Sequence, residues 1–245
     1  MSFLVFDIET IPDRELWTPA EAPKKRGKAA GEEPFAPHYA HIPIAIGFAL
    51  LSDELELQQI GVAGTTTFGT DEAKLIAAFH TFAEQVQPTL VTYNGRGFDM
   101  PVLSLRSFKH GLAQGWYSAA HRKKYSEERH IDIMEQLTEY GVIPFKGFSL
   151  DKVAKLIGLP GKLGFDGSLV AAAYAAGNAK EIELYAQQDV AQTTLVFLRY
   201  MLMRGRVTLP QYQQLAEVFL NTCGGKGMTF VEKTDRAKLL LQAPA

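Results

Sequence analysis

Asp7 and Glu9 stand two residues apart at the end of an apolar run, residues 3–8. A strand puts residues at that spacing on one face, with Cα atoms roughly 6.5–7 Å apart. Two carboxylates aimed together from the end of a covered strand repel each other unless a cation lies between them. Asp99 follows the loop Asn94-Gly95-Arg96-Gly97-Phe98, where a helix begins ahead of Met100-Pro101. Tyr185 and Asp189 are four apart in a long helical stretch and so share a face. Each has an ordinary reading alone: a solvated strand end, an N-cap, a helix-surface pair. Together they are four acids on three separated elements. Carboxylates are the hard oxygen ligands that Mg²⁺ and Mn²⁺ prefer, and two such ions roughly 3.5–4 Å apart can clamp the attacking and leaving oxygens of a phosphodiester.

The elements that must position these groups can be read from periodicity. Residues 3–8 form a strand apolar on both faces. Residues 42–51 and 55–62 read as two more strands around the turn Ser52-Asp53-Glu54. Thr70/Asp71 caps a helix to about residue 86, with Leu75, Ile76, Phe79, Phe82 and Val86 on one stripe. A strand over 89–93 enters the Asn94 loop, and Pro101 sits in the first turn of the helix that follows. Residues 129–133 read as a short strand, and Ser149 caps a helix that Gly158 and Pro160 stop. Helices follow over 169–176, about 179–203, where Leu184, Val190, Thr193 and Leu195 point to inward packing, and 211–221, before a break at Gly224-Gly225-Lys226-Gly227. Strands first and helices interleaved predict one α/β domain with a mixed sheet. Residues 17–37, rich in proline and mixed charge, read as a mobile insertion.

Composition bounds the classes. With 25 Lys+Arg against 27 Asp+Glu the net charge is −2, which argues against a generally basic nucleic-acid coat protein but leaves room for a local basic groove. A hydrophobic share of 47% and a charged share of 21% exclude collagen, coiled-coil and wholly disordered classes. The single cysteine, Cys223, excludes disulfide frameworks and thiolate zinc clusters and fits a reducing compartment. No export signal is visible, and the apolar run 42–51 is too short to span a bilayer as a helix, so a soluble cytoplasmic protein is expected.

Three segments carry a resemblance. Phe6-Asp7-Ile8-Glu9-Thr10, Asn94-Gly95-Arg96-Gly97-Phe98-Asp99 and Tyr185-Ala186-Gln187-Gln188-Asp189 resemble, in content and order, the three exonuclease motifs of the DEDD superfamily. Tyr185 points to its DEDDy branch. Over about residues 1–203 the chain is similar to predicted 3′–5′ exonucleases related to the proofreading domain of family B DNA polymerases.

That resemblance implies a ribonuclease H-like fold, an α/β mixed sheet flanked by helices. It makes Asp7, Glu9, Asp99 and Asp189 ligands of two divalent metal ions, Mg²⁺ or Mn²⁺, with Tyr185 positioning or activating the attacking water. Thr10, Asn94 and Phe98 would lie near the terminal nucleotide, and Lys162 would touch phosphate or be a solvated loop lysine. The expected domain is residues 1–205, with 206–245 a helical extension packed on it. The expected activity is a standalone 3′–5′ exonuclease acting on a single-stranded 3′ end of DNA or RNA and releasing nucleoside 5′-monophosphates. A non-catalytic nucleic-acid- or protein-binding module, an endonuclease and a small-nucleotide phosphodiesterase are the alternatives. The insertion departs from the compact first-motif hairpin of a polymerase proofreading domain, and only about forty residues follow the third motif, so no polymerase domain is expected.

The remaining signals are weaker. Gly95-Arg96-Gly97 lacks the third glycine of a dinucleotide cradle. Asp132 and Asp166 read as a cap and a turn residue. His38 and His41 lack the partners of a histidine metal site. The basic runs at 24–28 and 121–124 read as solvated surface or as guides for a phosphate backbone. No membrane or protein partner is inferred.

Overall fold

The computed structural model describes residues 2–19, 34–123 and 125–242. Its strands are β1 (Phe3–Pro12), β2 (His41–Leu51), β3 (Leu57–Gly64), β4 (Thr89–Thr92) and β5 (His130–Asp132). The helices of the first half are α1 (Thr65–Phe68), α2 (Glu72–Val86), α3 (Asp99–His110), α4 (Ala119–Arg122) and α5 (Ile133–Leu137). Those of the second half are α6 (Leu150–Leu156), α7 (Val170–Ala175), α8 (Ala179–Met203), α9 (Leu209–Gly225) and α10 (Arg236–Leu239).

The sheet has five strands in the order β3-β2-β1-β4-β5, with β1 antiparallel to β2 and parallel to β4, the mixed sheet expected from the sequence. Being central, β1 is covered on both faces. Leu4, Phe6 and Ile8 meet Leu75, Ile76 and Phe79 of α2 and Met100 and Leu103 of α3. Phe3 and Val5 belong to the opposite core, with Val190, Leu195 and Phe197 of α8 and Tyr212 and Phe219 of α9. Asp7 and Glu9 continue the alternation of Phe3 and Val5 and therefore leave the strand on the α8 face. The closeness of α8 depends on one residue. Gly47 pairs with Asp7, and a Cβ there would lie 2.5 Å from the Ala186 carbonyl oxygen.

Several boundaries differ from the sequence reading. β3 starts at Leu57 because Leu55 turns with φ 68°, its N–H donating to Ser52. α9 runs through Gly224 and Gly225, since buried Phe219, Leu220 and Cys223 hold the helix against its neighbours. Ser149 occupies the N-cap of α6 but its side chain makes no capping bond, whereas Asp71 caps α2 by accepting the Lys74 N–H. Leu184 is exposed, although its neighbours Ile182, Glu183 and Tyr185 in α8 are buried. The tail is fastened to α8 and α9, with the Arg199 guanidinium and the Tyr212 hydroxyl both donating to the Leu239 carbonyl.

The insertion has a closed neck. The Asp13 N–H donates to the Ala40 carbonyl at 2.8 Å, and Trp17, Ala36 and Ala40 pack together. From α3, Arg106, only 1% exposed, donates to Asp13 Oδ2 at 2.7 Å and to the Tyr39 carbonyl at 3.1 Å, and it also grips Glu72. Trp17 at one end is thus buried rather than part of a mobile segment. Most of the expected insertion, residues 20–33 with its basic run, lies outside the described residues.

Candidate active site

Three elements bring the acids together. β1 delivers Asp7 and Glu9, and α8 crosses that face to deliver Asp189, so each of the three offers an oxygen within 4.8 Å of the others. Asp99 opens α3, and its carboxylate does not cap that helix. It reaches across to accept the Ile8 N–H at 3.0 Å, which seats it against β1 between Asp7 and Glu9. Tyr185, one turn before Asp189, is buried with its ring on Phe165 at 5.0 Å between centroids, and its hydroxyl bonds to Asp189.

Burial and mutual repulsion make the cluster costly when charged. Burial first, then Asp99, Glu9 and Asp189, hold the Asp7 carboxyl well above the usual carboxylate range. Glu9 is raised by burial and then by Asp189 and Asp99. Burial pushes Asp99 up to about 7 against the pull of the Ile8 N–H, and Asp189 up to about 6 against the Tyr185 hydrogen bond and Lys162. Lys162 lines the cleft and offsets the charge of Asp7, Glu9 and Asp189. The Tyr185 phenol is raised by burial and then by Asp189 and Glu9, so it stays protonated. The donor set is hard oxygen throughout, and its ionised form is costly by burial and only partly offset by Lys162, which fits a divalent cation of the Mg²⁺ or Mn²⁺ type. Among the described residues no histidine or cysteine joins it.

The loop between β4 and α3 completes the cleft. Asn94, at φ 68°, lines it, and a Cβ on Gly97 would collide with the Asn94 side-chain oxygen, which explains the glycine without a phosphate cradle. Thr10, Asn94 and Phe98 lie together in an adjoining cavity that shares Ile8 and Glu9 with the carboxylate cleft.

The profile of one family, described as predicted 3′–5′ exonucleases related to the exonuclease domain of PolB, matches residues 33–235. The chain belongs to this exonuclease family. The match spans Asn94 to Asp99 and Tyr185 to Asp189 and begins after Asp7 and Glu9, which join the others through the fold. Among solved structures, a family B DNA polymerase from the hyperthermophilic archaeon Pyrobaculum calidifontis is 18% identical with a TM-score of 0.52, over 93% of this chain and 29% of that one. That likeness is one of fold, the ribonuclease H-like exonuclease fold. The zinc-bound complex of E. coli ExoI with single-stranded DNA is 14% identical with a TM-score of 0.44, over 90% of this chain and 43% of that one. This chain therefore spans less than half the length of either. Comparison with curated proteins found no match.

Other residues that build the carboxylate cleft escape a reading by motif. Asp132 does cap α5, accepting the Met134 N–H, but it also accepts the N–H groups of Asn94 and Arg96 at 2.9 and 3.0 Å and so fixes the Asn94 loop. Arg96 completes that post by donating to the carbonyls of His121, Ser126 and His130. Asp166 is the turn residue expected, accepting from Ser168. His38 and His41 serve as hydrogen-bonding and packing groups, on Gly97 and Thr10 respectively. Only the aromatic and polar content of residues 35–41 hinted at this. No helix among the described residues is long and apolar enough to cross a membrane.

Proposed function

We propose that this chain is a metal-dependent 3′–5′ exonuclease that hydrolyses the unpaired 3′ end of DNA or RNA to nucleoside 5′-monophosphates. The observation that carries this reading is the convergence of Asp7, Glu9 and Asp189 on one point, with Asp99 seated against the same strand and Tyr185 bonded to Asp189. Asp7, Glu9, Asp99 and Asp189 would hold two divalent ions. When bound, such ions lower the pKa of a water and stabilise charge on the attacked phosphate and the leaving oxygen.

The rest falls to the chain itself. Tyr185 keeps its proton in a hydrogen bond to Asp189, so its oxygen lone pairs orient the attacking water rather than deprotonate it. Lys162 offsets carboxylate charge and meets the incoming phosphate. Thr10, Asn94 and Phe98 hold the terminal nucleotide in the adjoining cavity. Residues 1–205 form the exonuclease domain, with the 206–245 extension built onto α8 as α9 and α10. The single buried thiol, Cys223, fits a cytoplasmic location.

Digestion of matched 5′-labelled DNA and RNA strands with Mg²⁺, Mn²⁺ or chelator tests the proposal. Metal-dependent stepwise shortening from the 3′ end is expected. Cleavage of end-blocked strands would mark an endonuclease, hydrolysis confined to small nucleotides a phosphodiesterase, and binding without turnover a non-catalytic module.

A further inference from the structure

Among the described residues Lys162 is the one cation lining the carboxylate cleft, and its ammonium makes no hydrogen bond or ion pair that would hold it there. A long side chain without such an anchor is aimed by its backbone. That backbone belongs to a loop with little shape of its own, in which Gly158, Gly161 and Gly164 take φ values of 96°, 71° and 91°. Glycine reaches this left-handed region at no steric cost but reaches most others as readily, so contacts must impose the loop's conformation.

Two side chains do so. The buried Gly161 donates its N–H to Gln192 Oε1 at 2.9 Å, and Gln192 Nε2 donates to the Gly161 carbonyl at 3.1 Å. The side-chain amide thus pairs with both polar groups of one residue, as an adjacent strand would. Next to it, the Lys162 N–H donates to Asp151 Oδ1 at 2.8 Å. That bond is open to solvent, and Asp151 also pairs with Lys155. Gln192 is 3% exposed, so breaking its grip would leave a donor and an acceptor unpaired away from water. It stands three residues past Asp189, and Tyr185, Asp189 and Gln192 form one stripe along α8. The helix that brings a carboxylate to the cluster thereby also holds the loop that brings the cation.

We propose that Gln192 is the positioning residue for Lys162, holding Gly161 so that the lysine meets a phosphate of the bound strand beside the carboxylates. Without that grip the cation remains in the chain but is no longer kept at the cleft. The inference rests on the exonuclease reading and adds the residue that keeps its phosphate contact in place.

Binding of a 5′-fluorescein oligothymidylate to the full chain, followed by anisotropy with Ca²⁺ in place of Mg²⁺ at salt from about 50 to 200 mM, tests it. Lys162→Met should weaken binding about tenfold, as loss of one charge-assisted contact allows. It should also reduce the slope of log K against log salt by about 0.7, one phosphate contact fewer on a single strand. Gln192→Met keeps the length of the side chain and removes both hydrogen bonds, and it should reproduce most of both changes. Added to Lys162→Met, it should weaken binding by less than about twofold more. Gly161→Ala strains a residue at φ 71° and sets a Cβ against Asp151 Oδ1, which displaces the loop without touching α8. It should match Gln192→Met and serves where the helix variant fails to fold, with thermal melts identifying the folded proteins. A folded Gln192→Met protein with wild-type affinity and slope overturns the proposal. So does one that loses affinity with the slope unchanged, or that loses as much in the Lys162→Met background as alone. Beside a wild type that shortens strands, these results sink this inference alone. A wild type that neither binds nor shortens any strand removes the exonuclease reading with it.

Discussion

Gly47→Ala is a one-carbon change, at the β2 residue paired with Asp7, that should disable the cleft. The added Cβ would lie 2.5 Å from the Ala186 oxygen, 2.9 Å from the Ala186 carbonyl carbon and 3.0 Å from Val190 Cγ2. Ordinary contact begins at 3.4 Å, so the overlap with helix backbone is about 0.9 Å. β2 cannot retreat, because it is bonded to β1 on one side and β3 on the other. α8 must therefore move outward by up to about 1 Å, carrying Tyr185 and Asp189 away from Asp7 and Glu9. A misplacement of that size costs on the order of 10²-fold in rate, and overpacking costs about 1–3 kcal/mol of stability. For a chain of this length that is a Tm lowered by roughly 2–12 °C. The assay is single-turnover release of 5′-monophosphate from a labelled single strand with saturating Mn²⁺, beside a thermal melt. Gly115→Ala is the control, since its Cβ would meet nothing within 4 Å. A Gly47→Ala enzyme with wild-type rate and Tm would refute the idea that close approach of α8 aligns the acids.

Asp7→Ala and Asp189→Ala should each abolish turnover while leaving a folded protein, as should excess EDTA on the wild type; residual full activity in any of these would remove the metal site. Tyr185→Phe should lower the single-turnover rate by about 10²–10⁴ with little change in Tm, and an unaltered rate would reduce the tyrosine to packing. Asp99 binds its proton more tightly folded, with a pKa of about 7, than unfolded, so its contribution to stability is lost as pH rises from about 4 to 7. In EDTA, Asp99→Asn should therefore raise the Tm at pH 8 and change it little at pH 4, by an amount worth on the order of a few kcal/mol; no gain at pH 8 would contradict the burial penalty. Deleting residues 23–33 should spare the Tm, because the neck at Asp13 and Ala40 stays closed, yet weaken strand binding more at low salt than at high.

The candidate site residues Asp7, Glu9, Tyr185 and Asp189 were legible because local periodicity already decides their direction. Alternation along β1 puts Asp7 and Glu9 on one face, and the helical repeat does the same for Tyr185 and Asp189. The mixed sheet followed from apolar runs of the right length. What stayed hidden depends on partners distant in sequence. Asp99 looked like a cap because nothing local reveals that its carboxylate reaches Ile8. Asp132 and Arg96 reveal themselves as the support of the Asn94 loop only once β4 and β5 are paired. The register shift between β1 and β2, with Ile44 of β2 as the extra residue opposite Glu9 and Thr10, is set by the pairing of two strands, and no spacing within one segment encodes it.

The closed neck at Asp13, Tyr39 and Ala40 has a consequence for how such a protein changes over generations. Asp13 and Ala40 close the chain at one point pinned by Arg106, and that closure does not depend on how many residues lie between them. Doubling an already closed loop costs only about 0.6 kcal/mol in closure entropy. Yet the far end of the same segment, at Phe35, Ala36 and His38, abuts the cavity beside the acids. Changes at Phe35 or His38 would therefore reach the cavity beside the acids while leaving in place the strand β1 and helix α8 that hold Asp7, Glu9 and Asp189.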